Sequence, residues 1–220
     1  MNVNSLAGSE LIGARNPGGW RRGVAFWVYS CAFGADRGDT LEEEHMLRTA
    51  LMVIAKEIFR DEEYIEPKLV LEDGGVRIKT TSTEAGPCIG KIRATVVAEF
   101  PLADADPNDY EAVLFIGGSG AAVFFDDPDA HRLAREMHAD GKVVAAICIA
   151  PSTLAHAGLL EGRQATAFES QKDDLEAHGA VYTGNPVEVD GRIVTANGPE
   201  AATDFGKAVL ELINQIAPQE

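Results

Sequence analysis

Val143-Val144-Ala145-Ala146-Ile147-Cys148-Ile149-Ala150-Pro151 is the stretch on which the reading of this sequence turns. Val143–Cys148 is short, continuous and apolar, as expected of a strand buried on both faces. Pro151 suits the first turn of a helix, because the N–H it lacks has no intrahelical acceptor there. A strand running straight into a helix leaves Cys148 at the apex of a tight elbow. Such an elbow needs small residues two before and two after its apex, where the backbone passes close to itself. Ala146 and Ala150 occupy those places. The sulfur then lies over the open start of a helix, where unpaired N–H groups and the positive helix end favour thiolate over thiol. The same residues also fit a plainer description, a small side chain buried in the core.

Working outward, Ala112–Ile116 reads as a second buried strand that breaks off into Gly117-Gly118-Ser119-Gly120. Open parallel sheets place their sites beyond the carboxyl ends of such strands. The amide of Gly118, with that of Ile149, could there form an oxyanion hole beside Cys148. A dinucleotide fingerprint is a poor match, since Val123 stands where the third glycine belongs, and no P-loop Lys-Ser/Thr follows. Further strands are expected at Val24–Ser30, Leu69–Leu71, Val76–Lys79, Thr95–Ala98 and Gln164–Phe168, with a hairpin over Val187–Thr195 around Asp190-Gly191. Helices are expected over Thr40–Phe59, from the spacing of Leu47, Leu51, Ile54 and Ile58, and from Asp127-Pro128 to about Asp140. Others open at Pro151, span Ser170–His178, and run from Pro199 to about Ile216. Alternating strands and helices imply a three-layer α/β/α sandwich with a mostly parallel, flavodoxin-like central sheet. Residues 1–22 are polar and Gly-rich and read as a flexible arm; residues 23–220 read as a single α/β domain.

The 220 residues carry 19 basic and 35 acidic side chains, a net charge of −16. That field repels phosphate backbones and anionic membrane surfaces, so neither nucleic acid nor membrane is an expected partner. The beginning of the sequence lacks the basic and apolar regions of a signal peptide. No apolar run approaches the ~20 residues of a membrane span, so a cytoplasmic location is expected. The three cysteines, Cys31, Cys88 and Cys148, form no CxxC pair, which argues against a disulfide framework or a cysteine zinc site. His156 falls eight residues after Cys148, about 12 Å along a helix, too far for direct contact. His131, His138 and His178 fall on expected exposed helix faces; His45, beside the acids Glu42–Glu44, and Cys31, at a strand end, could approach the site.

The order and spacing of GGSGA (117–121), AICIAP (146–151), ATAFESQKDDLEAHGAVY (165–182) and Asn197-Gly198-Pro199 resemble the ThiJ/PfpI superfamily, of class I glutamine amidotransferase-like fold. Cys-Ile-Ala-Pro, the glycine motif, and the Ser30–Gly38 loop before Leu41-Glu42-Glu43-Glu44 are most similar to the ElbB-type glyoxalase-like branch. The resemblance implies an elbow nucleophile at Cys148 paired with a glutamate from the first helix, a role that falls on Glu43 or Glu44. It also implies a homodimer. Superfamily proteases carry His directly after the nucleophile; Ile149 stands there instead, so proteolysis is not implied. The expectation is a cofactor-independent and metal-independent cysteine enzyme acting on a small carbonyl compound, with Cys148, Glu43 or Glu44, Gly118 and Ile149 as its site. Two alternatives remain: a redox- or stress-responsive protein whose Cys148 is oxidised, and an amidase or hydratase using the same thiol.

Overall fold

The computed structural model describes residues 48–216. The expected arm 1–22, the expected strand Val24–Ser30, and Cys31, Glu43, Glu44 and His45 lie outside the described residues. The first half comprises β1 (Thr49–Val53), β2 (Glu57–Phe59), α1 (Asp61–Asp73), β3 (Arg77–Ser82), β4 (Gly86–Gly90), β5 (Thr95–Ala98), β6 (Phe100–Pro101) and β7 (Ala112–Phe115). It continues with α2 (Pro128–Ala139), β8 (Val143–Ile147), α3 (Pro151–His156), β9 (Gln164–Ala165), α4 (Lys172–Ala177), β10 (Val181–Tyr182), β11 (Val187–Asp190), β12 (Ile193–Ala196) and α5 (Ala202–Asn214).

Seven strands form the main sheet in the order β11-β12-β8-β7-β1-β3-β6. All its pairings are parallel except the β11–β12 hairpin, whose turn places Gly191 at a φ of 65°. The chain builds outward from β1 to β3, then returns to β1's other side with β7 and continues to β8 and β12. That reversal puts a crevice beyond the carboxyl ends of β1 and β7. Two small sheets, β2-β4-β5 and β9-β10, form ladders separate from the main one.

Alternation along the central strands divides the core into two layers. Leu51, Val53, Val113, Phe115 and Val144 pack on one face with Leu133 and Met137 of α2, Leu154 of α3 and Leu175 of α4. Met52, Ile54, Leu114, Ile116 and Ile147 pack on the other with Tyr64 and Leu71 of α1 and Phe205, Val209 and Leu212 of α5. This is the expected three-layer sandwich. The N-cap of α2 also forms as expected: the Asp127 carboxylate accepts from the amides of Asp129 and Ala130, both at 2.9 Å.

The first part of the domain differs from expectation. The helix expected over Thr40–Phe59 is, within the described residues, β1 followed by β2. Ala50–Ala55 is buried at every position, which suits a central parallel strand and not a one-sided helix. A helical stripe can be drawn through any such continuous run. Leu69–Leu71, expected as a strand, is the second half of α1, with Leu71 buried and Leu69 exposed. Pro67, a residue that ordinarily ends helices, lies inside this one.

α1 and α5 pack closely because α5 carries Gly206 at the crossing. A Cβ there would lie 2.8 Å from the Pro67 Cα and 3.2 Å from the Val70 Cβ. Beside it, the Thr203 hydroxyl donates to Glu66 at 2.6 Å. Backbone on one side leaves an added methyl little room. Gly206→Ala is therefore expected to destabilise the fold by about 1–3 kcal/mol, read as a lower urea midpoint. Unchanged stability would show that the two helices separate freely.

Candidate active site

Cys148 follows β8 directly and has a φ of 65°, a left-handed conformation that costs a non-glycine residue about 1–2 kcal/mol. Neighbours on both sides hold it there. Its N–H donates to the Ala196 carbonyl of β12 at 2.9 Å, and its carbonyl accepts from the Phe168 amide at 2.8 Å. The strained elbow turns the side chain out of the sheet, into the crevice beyond β1 and β7. The helix that follows, α3, is only six residues long.

The carboxyl group brought to this sulfur belongs to Glu63, in the first turn of α1. Its start is fixed at two points. The Arg60 amide donates to the Gly117 carbonyl at 2.9 Å, and the buried Asp61 carboxylate accepts from the amides of Ile92 and Ala94 at 2.8 and 2.7 Å. Glu63 is fully buried, and both its carboxyl oxygens lack a partner at full hydrogen-bond geometry. The Cys148 thiol and the Gly117 amide both adjoin it. Glu43 and Glu44, to which the sequence assigned this role, lie outside the described residues.

Gly117 lets these groups meet. A Cβ on it would lie 2.5 Å from the Cys148 Cβ, 2.5 Å from Glu63 Oε2 and 2.8 Å from the Ile147 carbonyl. Gly118 follows with a φ of 96°, and a Cβ on it would strike the backbone of Ile58–Arg60 within 2.4 to 2.6 Å. This conformation aims the Gly118 amide at the Cys148 sulfur, and the Ile149 amide reaches it as well. Sequence reasoning named Cys148, Gly118 and Ile149, and the structure gathers them; it did not name Glu63 or Gly117. The available signal for Glu63 was the acidic run Asp61-Glu62-Glu63 following the apolar run Ala50–Ala55.

Burial pushes the Glu63 carboxyl from its ordinary 4.5 up to about 7. Burial and the adjoining Glu63 carboxylate push the Cys148 thiol up to about 12. The expectation of a freely ionising, depressed thiol is thus replaced by a pair. Two acids in one desolvated space resist carrying two charges. The pair loses its first proton near neutrality and its second only far above it. When Glu63 holds the remaining proton it can donate to a thiolate that also receives the two amides, so a reactive sulfur exists as one form of the singly charged pair.

The described histidines and Cys88 are engaged elsewhere. His156 lies between Asp126 and Asp174, at 2.8 and 3.0 Å. His131 bonds the Phe125 carbonyl, and His138 meets Arg163; both are half-buried rather than exposed. Cys88 is buried within the second core layer. Among the described residues, no helix is long and apolar enough to cross a membrane.

Comparison with known proteins agrees with this fold. The sequence pattern of the DJ-1/PfpI family matches residues 48–212. An uncharacterised protein of Methanocaldococcus jannaschii is 38% identical over 168 residues, covering 75% of this chain and 82% of its own. A protein named as a deglycase in Thermococcus kodakarensis is 30% identical over 149 residues, covering 68% of this chain and 90% of its own. The crystal structure of a ThiJ/PfpI domain protein from Brachyspira murdochii superposes with a TM-score of 0.76 at 31% identity, covering 78% of this chain and 99% of that one.

The pair sets two expectations. Alkylation of Cys148 by iodoacetamide, followed by mass spectrometry, should rise through about pH 7 and then level off. In Glu63→Gln the rise should continue to higher pH, as an unpaired thiol titrates; the same profile in both proteins would refute the pairing. Stability gives the second readout. A carboxyl whose folded value lies above its unfolded one costs stability as pH rises from 4.5 to about 7, here by about 3 kcal/mol. Between pH 4 and pH 8 the stability difference should therefore move in favour of Glu63→Gln by up to that amount, measured by urea unfolding.

Proposed function

The chain belongs to the DJ-1/PfpI family, and from that premise we propose that it is a cysteine enzyme acting on small reactive carbonyl compounds, in a glyoxalase-type or deglycase-type reaction. The observation that carries this reading is the placement of one protonatable carboxyl, Glu63, against the Cys148 thiol in a desolvated space. The relative named as a deglycase supports the same class of substrate. The Cys-Ile-Ala-Pro motif supports the glyoxalase-like, ElbB-type branch.

With methylglyoxal as substrate the proposed steps balance without an external oxidant. The Cys148 sulfur adds to the aldehyde carbon and forms a C–S bond. The carbonyl electron pair moves to oxygen, which receives the Glu63 proton and gives a hemithioacetal. The Gly118 and Ile149 amides, already at the sulfur, are the donors at hand for that oxygen. The Glu63 carboxylate then removes the hydrogen on the same carbon. An enediol forms, and the proton returns at the adjacent carbon to give a hydroxyacyl thioester. Water attacks the thioester carbon, the C–S bond breaks, and lactate leaves. One carbon is oxidised and its neighbour reduced, so methylglyoxal and water account for the product.

A second reading has its own support. The groups that hold a thiolate, Glu63 and the two amides, would also hold a sulfinate formed at Cys148 by peroxide, as a redox-responsive protein requires.

The deciding experiment is lactate formation from methylglyoxal by the reduced protein. Turnover is expected, abolished in Cys148→Ala and lowered about 10²- to 10⁴-fold in Glu63→Gln. Absence of turnover, with peroxide oxidation confined to Cys148, would replace the enzyme reading with the redox one.

A further inference from the structure

A second polar cluster lies on the α2–α3–α4 side of the sheet. His156, at the end of α3, directs Nδ1 at Asp126 Oδ1, 2.8 Å away, and Nε2 at Asp174 Oδ1, 3.0 Å away. The Nδ1 atom of His178 lies 3.4 Å from the same Asp174 oxygen and 2.9 Å from the Asp174 carbonyl. The two imidazoles stack with centroids 4.2 Å apart. The second carboxyl oxygen of Asp174 is buried without a partner.

This arrangement leaves a demand for positive charge. A neutral imidazole has one N–H and can donate to only one carboxylate. If Nδ1 donates to Asp126, the Nε2 lone pair faces an Asp174 oxygen that is itself an acceptor. Either a second proton or a cation must lie between them. Asp126 and Asp174 together contribute two negative charges, which matches a divalent ion.

We propose that His156, Asp174 and His178 bind a divalent transition-metal ion of the zinc class. The three side chains offer ligand atoms that all lie within 4.8 Å of one another. Zinc bonded to nitrogen and oxygen at about 2.0–2.2 Å sets neighbouring tetrahedral ligands about 3.4 Å apart. Of the contacts to Asp174, the one at 3.4 Å matches that spacing and the one at 3.0 Å is slightly shorter. To join the ion, His178 has to leave the Asp174 carbonyl and unstack from His156, so that its ring nitrogen points inward. Two imidazoles and one carboxylate favour zinc, nickel or cobalt over magnesium or calcium, which prefer oxygen ligands. Asp126 acts from behind as a positioning residue. Its bond to Nδ1 fixes the tautomer that leaves the Nε2 lone pair free, as carboxylates behind metal-bound histidines do. A water would complete a four-coordinate site.

The ion would join two segments directly, with Asp126 behind them from a third, and each descends from the Cys148 site. Asp126 follows Gly118 by eight residues, His156 follows Cys148 by eight, and Asp174 follows Phe168 by six. Binding therefore favours the folded chain and raises its melting temperature. None of the three ligands belongs to the Cys148–Glu63 pair, so the proposal stands or falls independently of the proposed reaction.

The test is calorimetric titration of the untagged, reduced, full-length protein with Zn²⁺, alongside thermal melts with and without the ion. One equivalent should bind and raise the melting temperature, and Cys148→Ser should bind equally well. His156→Ala and His178→Ala should each weaken binding at least about 100-fold, and Asp126→Asn about tenfold. The Asp126 side chain is 88% exposed, so that variant remains readable if His156→Ala fails to fold. Absence of saturable binding would overturn the proposal, as would binding retained in both histidine variants or binding lost in Cys148→Ser.

Discussion

The Cys148 sulfur and the Glu63 carboxyl occupy one space from which water is largely excluded, and that space tolerates one negative charge more readily than two. The rest of the site is arranged around this limit. Desolvation alone would hold both groups neutral and inert. The Gly118 and Ile149 amides counter it by offering N–H groups to the sulfur, and Arg60 offsets part of the burial at Glu63. The result is a pair poised to exchange a single proton near neutrality. A thiol activated only by a helix terminus would behave differently: it would be a permanent nucleophile with no acid beside it.

The topology explains how these groups come together from distant parts of the chain. β1, β7 and β8 are adjacent and parallel, so the residues after each strand emerge on one edge of the sheet. α1 follows β1 by way of β2 and supplies Glu63; the glycine loop follows β7; the elbow follows β8. Close approach at the edge is possible only because Gly117 and Gly118 carry no Cβ. At Gly117 a methyl would occupy the place where thiol and carboxyl meet. At Gly118 it would enter the backbone that leads into α1. The glycines are thus constrained by the pair itself and by the segment that delivers one member of it.

Legibility in the sequence followed the same division. From Ala112 onward, apolar strands of ordinary length alternate with helices marked by Asp127, Pro128, Gly141 and Pro151, and the sandwich could be read from them. Cys148 was legible for a local reason, since strand, apex, small neighbours and proline lie within nine residues. Glu63 was not, because its role depends on which strand opens the main sheet. Val24–Ser30 and Ala50–Ala55 are both apolar runs of strand length, and periodicity does not rank them. The resemblance, with the earlier run as the first strand, put the paired acid at Glu43 or Glu44, which lie outside the described residues. Pro67 runs against the local helix signal of α1, and tertiary packing, here against Gly206, outweighs it. The partnership of Asp126, His156 and Asp174 was hidden for a similar reason: three separated segments meet only once the sheet has formed.

The identity of residue 149 bears on which chemistry this pair suits. Cleaving an amide requires proton transfer at two sites, removal from the attacking group and delivery to a departing nitrogen. In proteases of this superfamily a histidine next to the nucleophile is available for such work. Here Ile149 takes that place and contributes only its backbone amide, while His156 is held between two carboxylates. A single carboxyl against the sulfur covers a short radius. Addition to an aldehyde fits within it, because no group departs and one proton goes to an oxygen bonded to the attacked carbon. Transfer of that carbon's own hydrogen to its neighbour fits as well, since both positions lie within two bonds of the sulfur. The presence of one acid thus favours the proposed addition to a 2-oxoaldehyde over cleavage of a peptide, on grounds of reach rather than of acid strength.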